Sequence, residues 1–285
     1  MVNDKILGGT IAVLILAAVG IWLIPELGPK YELTLAFEDL PILQTGHYEG
    51  WLTFDDEVMS FGKFFIGADG RARFLSGELI ERARFDVDLS QASTVIITIE
   101  PEDDTDFVRG VTFLEGSLRG NRAILTFPED LSQRSGSFTL ATPTDPDAPE
   151  TAGVWFYEGD PKTASLNLPR TPEGWRYEGW IVTSSFTLST GKFFFPEGAD
   201  RNNPFTGPEP LPAFPGEDFL TNAPPEFSFP VDVSEARVIV SLEPVIRNLD
   251  PTGNAIFIEL LTGDASQSTN LQATSTLPTG LVTLS

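Results

Sequence analysis

The sequence predicts an all-β protein: two tandem β-sandwich domains related by internal duplication, preceded by one N-terminal transmembrane helix. Three observations predict it. Short runs rich in Val, Ile, Phe, Tyr and Thr are separated by Gly, Pro, Asp and Asn clusters, a set of motifs occurs twice, and one long apolar run stands near the amino terminus. Helical periodicity is weak beyond that run, and 23 prolines and 25 glycines along the 285 residues would interrupt long helices repeatedly.

The apolar run comes first. From Ile6 to Ile24 nineteen consecutive residues are uncharged, flanked by Asp4-Lys5 and Pro25-Glu26. At ~1.5 Å per residue they match the ~30 Å hydrocarbon core of a bilayer. A cleaved signal peptide is the rival reading, with Ala17-Ala18-Val19-Gly20 as its cleavage region, but the run continues through Ile21, Trp22, Leu23 and Ile24, which supports an uncleaved anchor. Residues 1–5 then form a cytoplasmic stub, 6–24 a single-pass anchor, and the remainder lies outside the cytoplasm, in the periplasm or at the cell surface.

The repeat comes next. Tyr48-Glu49-Gly50-Trp51 recurs as Tyr177-Glu178-Gly179-Trp180, and Gly62-Lys63-Phe64-Phe65 as Gly191-Lys192-Phe193-Phe194, both at an offset of 129. Val87-Asp88-Leu89-Ser90 matches Val231-Asp232-Val233-Ser234 at 144, and Glu100-Pro101 matches Glu243-Pro244 at 143. The offset changes across residues 203–230, a Pro-rich stretch that reads as a loop insertion in the second copy. Leu33–Phe37, Trp51–Phe54, Val95–Ile99 and Val238–Leu242 are the clearest strands. The expected divisions are a first sandwich over 31–140, an exposed linker over 141–151 (Ala-Thr-Pro-Thr-Asp-Pro-Asp-Ala-Pro-Glu-Thr) and a second sandwich over 152–285.

Composition narrows the partners. With 41 acidic against 18 basic side chains, a net charge of -23, the chain repels phosphate backbones, so nucleic acid is excluded as an expected partner. There is no cysteine, hence no disulfide or thiolate metal site, and no N-x-Ser/Thr sequon, which points to a prokaryotic source. Other membrane or envelope proteins, and the membrane itself through residues 6–24, are the expected partners.

At the repeated motifs the sequence resembles the extracytoplasmic domain of anti-sigma-K-type factors, through Tyr177-Glu178-Gly179-Trp180, Gly191-Lys192-Phe193, Val240-Ser241-Leu242-Glu243-Pro244 and Pro251-Thr252-Gly253. In the first copy Tyr48, Trp51, Gly62, Phe64, Ile97, Thr98, Glu100 and Pro101 fit, while Val108-Arg109-Gly110 keeps only the glycine of the turn. The resemblance implies the fold and a place outside the cytoplasm for two tandem copies. It does not carry over the regulatory activity, because such factors hold their sigma factor with a cytoplasmic helical domain and five residues cannot supply one.

Chemistry is sparse. His47 is the only histidine and reads as a surface or strand-edge residue, which leaves no expected Ser-His-Asp or His-rich zinc arrangement. Glu49 with Glu178, and Glu100 with Glu243, could serve glycoside hydrolysis, yet their duplication favours a structural role as hydrogen-bonded strand glutamates. Glu102-Asp103-Asp104-Thr105-Asp106 is the candidate calcium loop, although it lacks the glycine placement of an EF-hand. No cofactor motif occurs. Tyr48, Glu49, Trp51, Glu100, Tyr177, Glu178, Trp180 and Glu243 form the structural repeat motif. Phe64, Phe65, Phe193, Phe194, Phe195, Phe205 and Phe214 are the candidate rings for partner or inter-repeat contact, since adjacent strand residues point to opposite faces. The expected function is therefore non-enzymatic: an anchored binding or scaffold protein, an accessory subunit of a membrane or envelope complex. A glycan-acting enzyme with paired carboxylates and an anti-sigma-like sensor module are the alternatives.

Overall fold

The computed structural model describes residues 31–285 except 56, 81, 107, 201, 226, 248, 250–255 and 275. The expected stub and anchor lie outside the described residues, as does Pro251-Thr252-Gly253. Among the described residues the chain is nearly all-β, with one 3-10 turn at Glu150–Ala152, and no helix is long and apolar enough to cross a membrane. Two compact units are present: one runs up to Pro128 and includes Pro278–Ser285, the other spans Glu129–Leu277.

The first unit begins with β1 (Tyr31–Glu38), β2 (His47–Phe54), β3 (Glu57–Ile66), β4 (Ala72–Phe74), β5 (Arg82–Phe85), β6 (Thr94–Glu100), β7 (Val111–Ser117) and β8 (Arg122–Leu125). Strands β4-β3-β2-β6-β7 form one antiparallel sheet. Central β6, Thr-Val-Ile-Ile-Thr-Ile-Glu, is buried along almost its whole length, so it reads as a continuous apolar run instead of alternating. In β3 exposure does alternate, until a bulge opposite Gly50 and Trp51 places Phe61 over Gly50, where a Cβ would come within 1.9 Å of its ring.

The second unit contains β9 (Ser135–Ser137), β10 (Thr139–Leu140), β11 (Gly153–Trp155), β12 (Tyr157–Glu158), β13 (Thr163–Ala164), β14 (Leu166–Asn167), β15 (Trp175–Val182), β16 (Thr187–Phe193), β17 (Gly216–Asp218), β18 (Arg237–Pro244), β19 (Ile258–Asp264) and β20 (Asn270–Ala273). Its main sheet has the order β14-β9-β20-β19-β18-β15-β16, beside the smaller sheets β10-β11-β17 and β12-β13.

The last strand, β21 (Thr279–Leu284), does not stay with this unit. It inserts between β1 and β8 in the first unit's second sheet, β5-β1-β21-β8, pairing Leu33 with Leu284 and Val282 with Ala123. The expected second sandwich over 152–285 is therefore corrected at both ends: it loses the final strand and gains residues 129–151. Alternating Gly-Leu-Val-Thr-Leu marks a strand with one apolar face, and nothing in that pattern names the sheet that will take it.

Residues 141–151 are likewise not a free linker. Thr142 and Thr144 are buried, and Thr144 donates both its amide, at 2.9 Å, and its hydroxyl, at 2.5 Å, to Asp218. Pro-Thr-Asp composition serves packed turns as well as linkers, because those side chains satisfy backbone groups locally. The stretch 203–230 is similarly built in, with β17 paired to β11 and Phe219 fully buried.

Aromatic rings join the layers. Tyr48 lies 5.5 Å from Phe64 and 6.0 Å from Phe113, and Phe37 of β1 stacks on Phe64 at 5.4 Å, linking the first unit's two sheets. In the second unit Phe193 lies 5.5 Å from Tyr177 and 6.2 Å from Phe156. Tyr48 and Tyr177 each donate a hydroxyl hydrogen bond to a proline carbonyl, Pro41 and Pro169. Buried phenols need such a partner, and both find one at the same place in the motif.

Candidate functional site

On the face of β2 opposite Tyr48 the repeated glutamates and tryptophans build one hydrogen-bonded network, and β15 carries its counterpart. The Trp51 indole donates to the Thr98 hydroxyl at 2.9 Å, and Trp180 to the Ser241 hydroxyl at 2.8 Å. Thr98 in turn donates to Glu100, and Ser241 to Glu243. Both carboxylates also accept a backbone amide at 2.9 Å, from Gly110 in the first unit and Phe257 in the second. Ser60 donates to Glu49 at 2.5 Å and Ser189 to Glu178 at 2.7 Å, while each serine oxygen accepts the amide two residues on, of Gly62 or Gly191. A buried carboxylate is costly unless hydrogen-bonded, and here strand register supplies the donors. Burial still pushes the carboxyls of Glu49, Glu100 and Glu178 up, and that of Glu243 up to about 7, against these donors.

The candidate rings divide by strand alternation. Phe64 and Phe193 are core residues, whereas Phe65 and Phe194 are half-buried. Phe195 is exposed, with the Arg170 guanidinium 5.1 Å from its ring. Phe214 leans on Tyr157 at 5.8 Å, and Phe205 packs on Phe219 at 5.9 Å and Phe229 at 5.3 Å.

Of these, Phe205 lines a cleft of about 850 Å³ in the second unit. Its polar side is Glu178, Ser189 and Lys192, with the Lys192 ammonium 3.5 Å from the Glu178 carboxylate. Its apolar side is Phe186, Phe205, Phe227, Pro204 and Pro224, and Phe186 meets Phe227 edge-on at 5.2 Å. Of these apolar residues, Phe205, Phe227, Pro204 and Pro224 come from the 203–230 stretch, while Phe186 and the lining Leu188 come from β16 and the turn before it. Phe186 and Phe227 went unsingled in the sequence because neither sits in a repeated motif. Lys192 sits in one, and its pairing with Glu178 follows from cross-strand register.

Beneath the cleft lie buried acids that the sequence reading did not single out. Asp200 accepts the Gly216 amide at 3.1 Å, and its carboxyl is pushed up to about 7 by burial. Glu217 is fully buried, and burial, with Asp200 and Asp218 adding, pushes it up to about 9. Asp218 is held by Thr144 and by the Trp155 indole at 2.5 Å. Gly191, at φ +121°, lets Asp200 approach: a Cβ there would lie 1.6 Å from the carboxylate.

At the corresponding place in the first unit stands a smaller polar cluster. His47 is 5 % exposed on a central strand, not at a surface or strand edge as expected, because β3 and β6 flank it. His47, Glu49 and Asp104 bring one ligand atom each to within 4.8 Å of one another. Lys63 donates to the Asp104 carboxylate at 2.5 Å and to its carbonyl at 3.0 Å, with Glu49 3.9 Å away. The candidate calcium loop is thus divided: Asp104 turns inward to Lys63, while Asp106 accepts the Val108 amide as a local turn. Register puts His47 opposite Glu100 and Arg176 opposite Glu243, so the imidazole stands where the second unit has a guanidinium.

No family model matches this chain, and no curated protein or solved structure is significantly similar to it.

Proposed function

We propose that this chain is a non-enzymatic binding or scaffold protein held at the cell membrane by residues 6–24, with its β-units outside the cytoplasm, and that it serves as an accessory subunit of a membrane or envelope complex. The observation that carries the reading is the second unit's cleft: one wall is phenylalanine and proline, most of it from a stretch the first unit lacks, and the other is the motif pair Glu178 and Lys192. An apolar wall facing a fixed ion pair suits an extended peptide segment, whose side chains fill the wall while its backbone meets the polar groups. At a net charge of -23 the preferred segment is neutral or basic. Two copies of one hydrogen-bond network at matching spacing support an internal duplication, after which the second copy acquired the partner site. Hydrolysis of glycans would ask for two facing carboxylates, and Glu178 is the one carboxylate among the described residues lining the cleft.

Mild-detergent extraction of the full-length protein, affinity capture and quantitative mass spectrometry test the reading. A stoichiometric membrane-protein partner is expected, and the double variant Phe186→Ala/Phe227→Ala, both half-buried positions, should release it without loss of the folded β-signal. Recovery of a monodisperse protein with no partner would sink the proposal.

A further inference from the structure

The first unit's polar cluster has the composition of a metal site rather than of a finished ion-pair network. Two buried atoms on its residues have no hydrogen-bond partner: His47 Nε2 and Glu49 Oε2, on residues 5 % and 4 % exposed. Leaving such groups unsatisfied is costly, and native proteins do so where a ligand completes them. Glu49 is also held in place, since Ser60 donates to Oε1 while Oε2 lies 3.9 Å from the Lys63 ammonium.

Charge gives an independent argument. Glu49, Glu100 and Asp104 lie close enough to perturb one another, and among the described residues Lys63 is the cation paired with Glu49 and Asp104. In the second unit Glu178 and Glu243 face two cations, Lys192 and Arg176, the latter at the His47 position. Where the second unit carries a guanidinium, the first carries an imidazole and an additional carboxylate. What is missing there is positive charge, next to a nitrogen donor that a guanidinium cannot provide.

We propose that His47 Nε2, Glu49 Oε2 and an Asp104 carboxylate oxygen form a three-ligand site for Zn²⁺, with the Lys63 ammonium as a built-in competitor that the metal displaces. One imidazole and two carboxylates suit zinc, which takes N and O donors and keeps a fourth position for water. Calcium fits poorly, because it prefers six to eight oxygens and the cluster offers an imidazole in place of one. Contracting ligand atoms now within 4.8 Å to the roughly 3.3 Å edge of a zinc tetrahedron asks only for side-chain adjustment. Lys63, 26 % exposed on a flexible stem, can swing to solvent as the metal enters.

Titration calorimetry of the full-length protein in mild detergent with ZnCl₂ at pH 7, with CaCl₂ in parallel, tests the site. One Zn²⁺ per chain is expected. His47→Arg, which installs the second unit's residue and should fold, is expected to weaken binding by about 100-fold or more, beyond what loss of an outer partner costs. His47→Gln should do the same and serves if the arginine variant does not fold. Lys63→Met should tighten binding by about 10-fold, one unit charge of competition removed near a partly exposed site. Zinc bound equally by wild type and both His47 variants would assign it to scattered surface carboxylates and overturn the proposal. Binding absent from wild type, binding seen only in Lys63→Met, or calcium bound in place of zinc would overturn it as well. The outcome is independent of partner capture, since the cleft lies in the other unit.

Discussion

Both units set the same strands, tryptophan, hydroxyl and two glutamates on one sheet face, yet they cover that face differently. In the first unit a short acidic loop after β6 turns Asp104 onto Lys63 and leaves a small, charged cluster around His47. In the second a long Pro-rich stretch supplies phenylalanines and leaves an apolar-walled cleft over Glu178 and Lys192. The comparison separates framework from chemistry. A buried hydrogen-bonded network resists piecemeal change, because removing one partner orphans the next, whereas a covering segment can change length and composition freely.

Removing β21 should break the comparison most severely. Truncation after Leu277 takes an interior strand from the first unit's second sheet and uncovers Leu33 and Leu35, both buried. A loss of roughly 5 kcal/mol or more is expected, comparable to the stability of a whole domain. Hydrogen exchange should then show protection lost over 31–128 and retained over 129–277. Equal loss in both would mean that the units do not fold separately.

Next in size is the glycine of the shared Gly-Lys-Phe motif. Gly62 and Gly191 both adopt positive φ, +130° and +121°, but a Cβ at 191 meets Asp200 at 1.6 Å while one at 62 meets the Phe74 ring edge at 2.9 Å. Gly191→Ala should cost about 3 kcal/mol or more, and Gly62→Ala about 1–2 kcal/mol, by urea denaturation. Equal costs would show that backbone strain, common to both, outweighs the buried acid.

The smallest effect is expected from pH. Burial raises the folded pKa of Asp200 to about 7 and of Glu217 to about 9, from ordinary values of 3.8 and 4.5. Between those limits the folded state keeps protons that the unfolded chain has released, so stability is full below the ordinary values and falls as pH rises through about 7 and about 9. The second unit should therefore unfold at lower temperature at pH 9 than at pH 5. Glu217→Gln should recover on the order of 1–3 kcal/mol at pH 9 and far less at pH 5. A thermal scan in which the variant gains equally at both pH values would point to packing instead of ionisation.

Some of the site was legible before any coordinates. Glu49, Glu100, Glu178 and Glu243 were expected to accept hydrogen bonds from within their own units because they recur, and each has such donors. The inward and outward split of Phe64 from Phe65 followed from strand alternation. His47 was misplaced because a polar residue beside a motif looks like a surface residue until both neighbouring strands are known. Asp104 was read as part of an acidic run, although one member of that run faces inward to a lysine 41 residues away.

By itself the sequence determined the all-β class and the twofold recurrence of the Tyr-Glu-Gly-Trp and Gly-Lys-Phe elements, because alternation, turn residues and repeated spacing are properties of nearby residues. Tertiary structure alone decided that β21 completes the first unit, that Thr142 and Thr144 of the 141–151 stretch are buried, and that the 203–230 stretch helps wall a cleft over Glu178 and Lys192. Those outcomes depend on which apolar faces and unpaired strand edges meet across long separations. A strand's pattern specifies the face it must bury and leaves open the partner that buries it.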